Sequence, residues 1–262
     1  MRTRKTGQTG RLRSDSEWIY GFNPVVEAIK AGRTIRNIFI SSGRHEKVFE
    51  IKQEAVSRNI PFNLVAPDFF DAFSKGHQGI AAEVSLREDF LLDELIDIPF
   101  SKNETPLFFI LDCIEDPRNF GAILRVADAA GVHGVVVQTH RSARPGPLVS
   151  KASAGAVEYV PVCSVANIKH AVHEMKRTGI IIVGTEAGTE ASLWSPDLYG
   201  PLALVIGSEG KGLRRTVKSL CDTLVSIPMH GRINSLNAAV ATGIITFEIL
   251  RQRMYNIEKT GE

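Results

Sequence analysis

Six short apolar runs, separated by helical patterns, occupy much of the chain from residue 107 to residue 227 and constrain its fold more than any other feature. Strands that are apolar along nearly their whole length are typical of a parallel sheet covered by helices on both faces. We therefore expect an α/β domain of about 150 residues that ends in a helix from about residue 237 to 253. The runs predicted to be its strands are residues 107–111, 134–139, 157–162, 180–185, 202–206 and 223–227.

A smaller unit of alternating helices and strands precedes this domain, over residues 17–84. Asn23, followed by Pro24, is expected to cap its first helix, which the pattern ends at Gly32. Residues 85–106 are acidic and contain two prolines, so we expect an interdomain linker with no more than two helical turns. The other elements predicted in the unit are a strand at 35–41, a helix at 46–58, a strand near 61–65, a short helix from 67 and a strand at 79–84.

The net charge of +2 is compatible with nucleic-acid or small-molecule partners, so the position of the charge matters more than its sum. Residues 1–16 are expected to form a disordered basic arm, because residues 1–13 include five Arg or Lys and no acid. Such an arm can neutralise RNA phosphates without a fixed structure, although a solvated tail without a role is an equally open interpretation. No apolar run follows the arm, which argues against a secretory signal.

The three cysteines, Cys113, Cys163 and Cys221, are widely spaced and form no CxxC pair, which favours a reducing, cytoplasmic location. The seven histidines are scattered and no HExxH occurs, so no metal site is expected. No apolar stretch approaches the roughly 18 to 20 residues that span a bilayer, and we expect no membrane partner.

Two glycine-containing loops follow predicted strands and suggest a ligand site. Residues 207–212 have the spacing G-x-x-G-x-G, and glycine lets the backbone turn sharply and approach a ligand closely. The spacing matches neither a phosphate loop nor a dinucleotide fingerprint, because Leu213 follows where the phosphate loop needs Lys and then Ser or Thr. One site at the carboxyl ends of neighbouring parallel strands is a natural interpretation, and ordinary loops of an α/β domain are the open alternative.

A helix predicted over residues 119–130 carries two further polar candidates. Asn119 lies near its start and close to the end of strand 107–111, and Arg125 lies six residues later. An Arg in an otherwise apolar helix needs an anionic partner where it is buried. Arg125 is therefore expected to face the same edge of the sheet or a neighbouring subunit, with a structural ion pair as the alternative.

Taken together and in order, NFGAILRVADAAGVHGV, IGSEGKGL and IPMHGRINSLNAAVATG resemble the three motifs of the SpoU (TrmH) family of RNA ribose 2′-O-methyltransferases, in the SPOUT superfamily. The segments IYGFNPVVEAIKAG and HQGIAAEV resemble the L30e-like RNA-binding domain of bacterial 23S rRNA guanosine methyltransferases, so the resemblance covers nearly the whole chain. The third motif carries His230, Arg232 and Ile233 where small residues are common, which removes no chemical group from the site.

The resemblance implies a small L30e-like α/β N-terminal domain and, over residues 107–258, a parallel-sheet SPOUT domain with a C-terminal trefoil knot through which the protein dimerises. It implies S-adenosylmethionine as the cofactor and RNA as the partner, with a guanosine of 23S rRNA as the leading target. A ribose in tRNA or elsewhere in rRNA is the neighbouring alternative, and a non-catalytic RNA-binding protein is the alternative of another class.

The resemblance also assigns roles to individual residues. Because a guanidinium is essentially always protonated, we interpret Arg125 as a phosphate clamp rather than a base, with Glu209 fixing it or accepting the proton. Arg141, Arg144, Lys151 and Arg232 are candidates for additional phosphate contacts. The positions that match the family's catalytic residues are Asn119, Arg125, Glu209, Ser235 and Asn237, and the expected cofactor contacts are Thr185, Gly207, Ile227 and Leu236.

Overall fold

A computed structural model describes residues 15–42, 46–73, 76–189, 191–232 and 234–260 of the chain. Most of the predicted basic arm, residues 1–14, and Ile233 of the third motif lie outside the described residues. The described residues form two sheets, one of four strands and one of six.

The smaller sheet is mixed and belongs to the N-terminal unit. Its order is β1-β4-β2-β3, in which β4 pairs antiparallel with both β1 and β2, and β2 pairs parallel with β3. Helix α1 buries Val25, Val26 and Ile29 against this sheet. The elements are β1 (Ser16–Tyr20), α1 (Phe22–Lys30), β2 (Ile35–Ser41), α2 (Glu46–Ser57), β3 (Phe62–Val65), a 3₁₀ helix (Pro67–Ala72) and β4 (Ile80–Ser85).

The start of this unit differs from the sequence prediction. Helix α1 begins at Phe22 with Gly21 at the N-cap, so Asn23 lies inside the first turn and does not cap the helix. The backbone N–H of Gly21 donates to the carbonyl of Ile80, which fixes the end of β1 beside β4 and makes the chain turn earlier than predicted. Strand β1 itself was not predicted, because its pairing partner lies more than sixty residues away in sequence.

The larger sheet is parallel throughout, in the order β10-β8-β9-β5-β6-β7, and confirms the predicted sheet type. Its strands are β5 (Leu107–Asp112), β6 (Gly134–Gln138), β7 (Val162–Val165), β8 (Ile181–Thr185), β9 (Leu202–Gly207) and β10 (Thr223–Val225). Its helices are α3 (Leu92–Ser101), α4 (Pro117–Ala129), α5 (Pro147–Ala152), α6 (Ile168–Arg177), α7 (Arg215–Lys218) and α8 (Ala238–Thr260).

Both faces of this sheet are buried, which explains why its strands are apolar without alternation. Phe109 and Leu111 of β5 pack in a core that α4 and α8 cover, whereas Phe108 and Ile110 pack in the core beneath α3 and α6. The strand order changes direction at β5, which continues to β6 on one side and has β9 on the other. Ligands of open α/β sheets bind outside such a switch point, at the carboxyl ends of the strands.

Three sequence predictions in this part of the chain are wrong in detail. The strand predicted at 157–162 is a 3₁₀ turn (Ala156–Glu158), and β7 begins only at Val162. A short buried apolar run cannot by itself distinguish a turn from a strand. Residues 85–106 contain the ten-residue helix α3, which buries Leu95 against the backbone of Gly134. Of the helical pattern expected between the predicted strands 202–206 and 223–227, only the four-residue helix α7 forms.

The N-terminal unit packs against α5 and the 3₁₀ turn that follows it. At this contact the side chain of Glu158 is 3% exposed and accepts hydrogen bonds from Arg33 and Arg87, each at 3.0 Å. Arg33 also pairs with Glu17 of β1. The contact therefore combines ion pairs from β1, the turn after α1 and the segment that follows β4.

Candidate active site

A cavity of about 350 Å³ lies at the carboxyl ends of β8, β9 and β10, beside the first turns of α8. Its walls are the residues that follow these three strands and the segment that leads into α8. The volume is within the range of small-molecule pockets, about 300 to 1,000 Å³. The lining includes all four predicted cofactor contacts and two of the predicted catalytic residues, namely Thr185, Gly207, Ile227, Leu236, Glu209 and Ser235.

The glycine turn after β9 folds back closely onto the strand that precedes it. The N–H of Gly212 donates to the carbonyl of Ser208 at 2.9 Å, and Gly212 has a φ of +63°. A Cβ added at Gly207 would lie 2.3 Å from the carbonyl carbon of Gly212. Any side chain at Gly207 would therefore displace the turn and change the wall of the cavity.

A buried ion pair ties this turn to the centre of the sheet. Asp112, at the end of β5, is 0% exposed and accepts from the backbone N–H of Arg214 at 2.8 Å and from its Nε at 2.6 Å. The guanidinium of Arg214 also donates to Gln138, at the end of β6, at 2.8 Å. Sequence analysis did not identify these residues, since the only local signal is an Asp that ends an apolar strand.

Three of the predicted catalytic residues meet at one point beside the cavity. The side-chain oxygen of Asn237 accepts from the N–H groups of Ala239 and Val240, at 3.0 and 3.2 Å, and so caps α8. This cap turns the side-chain NH₂ group of Asn237 toward Asn119 Oδ1, at 2.8 Å, and toward Glu209 Oε1. We call Asn119, Glu209 and Asn237 the amide–carboxylate cluster.

The geometry of the cluster leaves specific groups for a ligand. The oxygen of the Asn119 side chain is used by Asn237, so the NH₂ group of Asn119 remains available as a donor. Oε1 of Glu209 accepts from Asn237 and, at 3.4 Å, from the N–H of Ala238, whereas Oε2 makes no hydrogen bond within the described residues. The cluster thus presents one donor group and one carboxylate oxygen at the switch point of the sheet.

Arg125 and Ser235 are not part of the cluster. Ser235 lies exposed at the rim of the cavity. Arg125 is exposed on α4, about 9 Å along the helix axis from Asn119 and on a different face, because six residues turn the helix by about 600°. Among the described residues it makes no hydrogen bond or ion pair, so a single chain does not bring Arg125 to the other predicted catalytic residues.

The four candidates for phosphate contacts lie in different surroundings. Arg141 and Arg232 are exposed, and Arg144 donates to the carbonyl of Thr139 at 2.6 Å. The ammonium of Lys151 lies 5.8 Å from the centre of the Tyr20 ring, in the contact with the N-terminal unit. Lys151 therefore has a partner inside the protein, and its role as a phosphate contact stays a prediction.

Within the described residues, no group of His, Cys, Asp and Glu side chains is arranged to hold a metal ion. No helix in the described part of the chain is both long and apolar enough to cross a bilayer.

Comparison with known families and structures gives consistent results. Residues 106–247 match the SpoU rRNA Methylase family, and residues 18–90 match the RNA 2′-O ribose methyltransferase substrate binding family. The chain is 40% identical, over 242 residues, to the putative TrmH family tRNA/rRNA methyltransferase YacO of Bacillus subtilis, which covers 90% of this chain and 96% of that protein. It is 39% identical, over 242 residues, to the 23S rRNA (guanosine-2′-O-)-methyltransferase RlmB of Escherichia coli K12, with coverage of 91% and 99%.

The fold is similar to that of solved SpoU methyltransferases. The AviRb enzyme of Streptomyces viridochromogenes in complex with AdoMet superposes with a TM-score of 0.78 at 28% identity, over 95% of each chain. An AdoMet-bound rRNA methyltransferase of Sinorhizobium meliloti superposes with a TM-score of 0.73 at 26% identity, over 91% of this chain and 88% of that one.

Proposed function

Since the chain belongs to the SpoU family of S-adenosylmethionine-dependent RNA 2′-O-ribose methyltransferases, we propose that its substrate is a guanosine of 23S rRNA. The observation that carries the catalytic part of the proposal is the amide–carboxylate cluster beside the cavity that all four expected cofactor contacts line. The likeness to RlmB over nearly its whole length supports the choice of rRNA.

The cavity is the proposed seat of S-adenosylmethionine, which when bound supplies an electrophilic methyl group. Its size and its backbone-rich glycine wall fit a nucleoside ligand, and two of the similar solved structures hold AdoMet. Thr185, Gly207, Ile227 and Leu236 are proposed to contact it. The family resemblance also implies that this part of the chain forms a trefoil knot, which we include in the proposal.

The cluster is proposed to act on the ribose. The NH₂ group of Asn119 is available to orient the 2′-hydroxyl, and Asn237 holds both Asn119 and Glu209 in place. Oε2 of Glu209 is available to accept the proton that the hydroxyl loses during attack. Ser235, at the cavity rim, completes the proposed set together with an arginine that holds the phosphate.

We propose that this arginine is Arg125 of a second subunit. The exposed side of α8 carries an apolar stripe formed by Val240, Ile244, Phe247 and Met254, whose residues are 36% to 66% exposed. Such a stripe is unusual on a helix surface without a partner. Helix α8 packs on α4, with Gly243 next to Val126, the residue that follows Arg125. Dimerisation through the stripe would bring Arg125 near the partner's cluster.

The N-terminal unit, residues 17–84, is proposed to bind the RNA substrate, with residues 85–106 joining it to the methyltransferase domain, residues 107–258. The basic arm at residues 1–16 would add phosphate contacts, and its removal would weaken the salt dependence of binding. A cytoplasmic location is consistent with three cysteines that form no disulfide.

Mapping of 2′-O-methyl groups on RNA from cells with and without the gene tests the target. We expect one 2′-O-methylguanosine of 23S rRNA to disappear when the gene is removed. Loss from tRNA or from another rRNA position would support the alternative target that the name of YacO also suggests. Calorimetric titration with S-adenosylhomocysteine tests the enzyme assignment, since absence of heat would favour a non-catalytic RNA-binding protein.

A further inference from the structure

Glu186 directly follows β8 and is one of the residues that line the cavity. Its side chain is 23% exposed, and Oε1 lies 3.4 Å from the ammonium of Lys218. Oε2 is buried and has no hydrogen-bond partner among the described residues. This oxygen lies against the glycine turn, because a Cβ added at Gly212 would be 3.2 Å from it.

A buried carboxylate oxygen without a donor is unfavourable unless something else supplies the hydrogen bond. Lys218 offsets part of the charge but approaches only the other oxygen and is itself 40% exposed. The second carboxylate that lines the cavity, Glu209, is already held by Asn237. Glu186 is therefore the cavity-lining carboxylate whose buried oxygen has no donor among the described residues, and rotation of its side chain toward the cavity would let a ligand supply one.

The position of Glu186 indicates which part of the ligand it meets. It follows β8, whereas Asn119 follows β5, and β9 lies between these two strands. Neighbouring strands are about 4.8 Å apart, so the end of β8 is roughly 10 Å from the end of β5. The reacting methyl must lie near the cluster, and the group that meets Glu186 is therefore on a part of the ligand remote from it.

We propose that Glu186 binds the ribose hydroxyls of the S-adenosyl group and so selects ligands with an intact sugar diol. This inference rests on the proposed cofactor seat. Vicinal hydroxyls provide the neutral donors that an acceptor-only carboxylate requires, and an acidic residue plays the same part toward ribose in dinucleotide-binding folds. The charge of the carboxylate is already balanced in part by Lys218, so a neutral donor is favoured over the ammonium of the methionine group.

Calorimetric titration of two ligands tests the assignment, namely S-adenosylhomocysteine and 5′-methylthioadenosine, which keeps the ribose but lacks the amino-acid group. For Glu186→Ala we expect both affinities to fall about tenfold or more, as for loss of a hydrogen bond to a charged group. Glu186→Gln keeps the shape and one acceptor oxygen, and we expect a smaller loss for both ligands. If Glu186→Ala does not fold, the affinities of Glu186→Gln for the two ligands test the inference.

Thermal unfolding without ligand separates binding from a structural role. Glu186→Gln should change the ligand-free melting temperature only slightly, because the ion pair that it removes joins Glu186 to an exposed Lys218 and such pairs contribute little stability. The matched control is Glu174→Gln on α6, a half-buried carboxylate that also pairs with a basic side chain, Arg177, but does not line the cavity, so the change should alter neither ligand's affinity.

Three results would overturn the inference, each in a distinguishable way. Unchanged affinity of the Glu186 variants for both ligands would show that the carboxylate does not bind the ligand. A loss confined to S-adenosylhomocysteine would assign Glu186 to the ammonium instead of the ribose. Failure of the unsubstituted protein to bind either ligand would overturn the proposed function, and the inference with it.

Discussion

The side chain of Asn237 both caps α8 and belongs to the amide–carboxylate cluster. Its oxygen is held by two backbone N–H groups of α8, and its NH₂ group consequently faces Asn119 and Glu209. The amide orientation is thus determined by the helix cap rather than by a ligand. A residue in this position must combine a capping acceptor with a donor on the same planar group, which Asn supplies and Asp does not.

The substitution Asn237→Asp separates these two functions. Aspartate caps helices as well as asparagine, so we expect the cap to be kept and the free energy of unfolding to fall only by the repulsion between the new carboxylate and Glu209. The second oxygen would face Glu209 instead of donating to it, and methyl transfer should fall by about a hundredfold, as when one donor is removed from an active site. Single-turnover rates and urea unfolding measure the two effects.

Asn167→Asp is the matched control for this change. Asn167 caps α6 by accepting from the N–H of Lys169 and is not among the residues that line the cavity. Activity of this control should equal that of the unsubstituted protein. Full activity in Asn237→Asp would show that the amide donor is dispensable.

At the scale of elements, the glycine turn depends on a neighbouring strand for its position. Asp112 of β5 holds the residue that follows the turn, and Gln138 of β6 holds the same guanidinium. A loop with three glycines has little conformational preference of its own. The wall of the cavity is therefore positioned by contacts from two strands rather than by the loop sequence.

Arg214→Ala should destabilise the protein by about 3 kcal/mol, because it leaves the buried Asp112 carboxylate without its charged partner. The affinity for S-adenosylhomocysteine should fall as well, since the turn loses its anchor. Arg215→Ala, at the exposed neighbouring position, is expected to change the free energy of unfolding by less than about 0.5 kcal/mol. Equal effects of the two substitutions in urea unfolding would contradict the anchoring role.

Helix α8 contacts the loop before β9 through Gln252, which also donates a hydrogen bond to Glu248. The ionisation of Glu248 therefore predicts that the free energy of unfolding depends on pH in the acid range. Hydrogen bonds from Arg251, assisted by Gln252, hold the pKa of Glu248 below its ordinary value of 4.5 although burial opposes the shift. Gln252 in turn contacts the backbone of Pro196 and Leu198. A carboxylate with a lowered pKa contributes stability that is complete above about pH 4.5 and is lost as the pH falls through the lowered value.

As the pH falls below 4.5, we therefore expect the free energy of unfolding to decrease less in Glu248→Gln than in the unsubstituted protein. Urea unfolding at each pH measures the difference. Arg251→Gln removes the largest cause of the shift and should flatten the same limb of the profile. An acid limb that is identical in all three proteins would rule out this contribution.

At the scale of the whole molecule, buried charges join the N-terminal unit to the methyltransferase domain. Glu158 accepts from Arg33 and Arg87, and burial lowers the pKa of Arg87 despite this pairing. Tyr159 adds a hydrogen bond to Glu27 of α1. Contacts of this kind hold the sheet that matches the substrate-binding family in a defined orientation relative to the cavity.

The proposed dimer predicts that damaged subunits complement each other. Arg125→Ala alone should abolish most activity while changing stability by less than about 0.5 kcal/mol, because Arg125 is exposed and makes no bond among the described residues. If Arg125 acts in the partner's site, a mixed dimer of one Arg125→Ala subunit and one Glu209→Gln subunit has one intact site. Random mixing of equal amounts should restore about one quarter of the normal activity.

The readout is methyl transfer to RNA after subunit exchange, with each variant alone as its control. No recovery in mixed dimers would place Arg125 in its own subunit's site. A protein that sediments as a monomer would contradict the dimer itself.

Features encoded within a short segment were predictable from sequence. The parallel sheet follows from consecutive apolar runs, and the cavity loops follow from glycines at strand ends, so the expected contacts from Thr185 to Leu236 do line one cavity. Short apolar runs were less informative, as the 3₁₀ turn at Ala156–Glu158 shows. The trefoil knot, the dimer and the roles of the site residues stay predictions.

By itself, the sequence determined the α/β class, the family and the loops that carry the site, because these depend on the apolar pattern, on the motifs and on their order along the chain. Only the tertiary structure decided the pairing of β1, the anchoring of Arg214 by Asp112 and the buried oxygen of Glu186. The physical reason is that each depends on groups that approach across distant parts of the chain, 102 residues apart for Asp112 and Arg214. Local propensity carries no information about such partners.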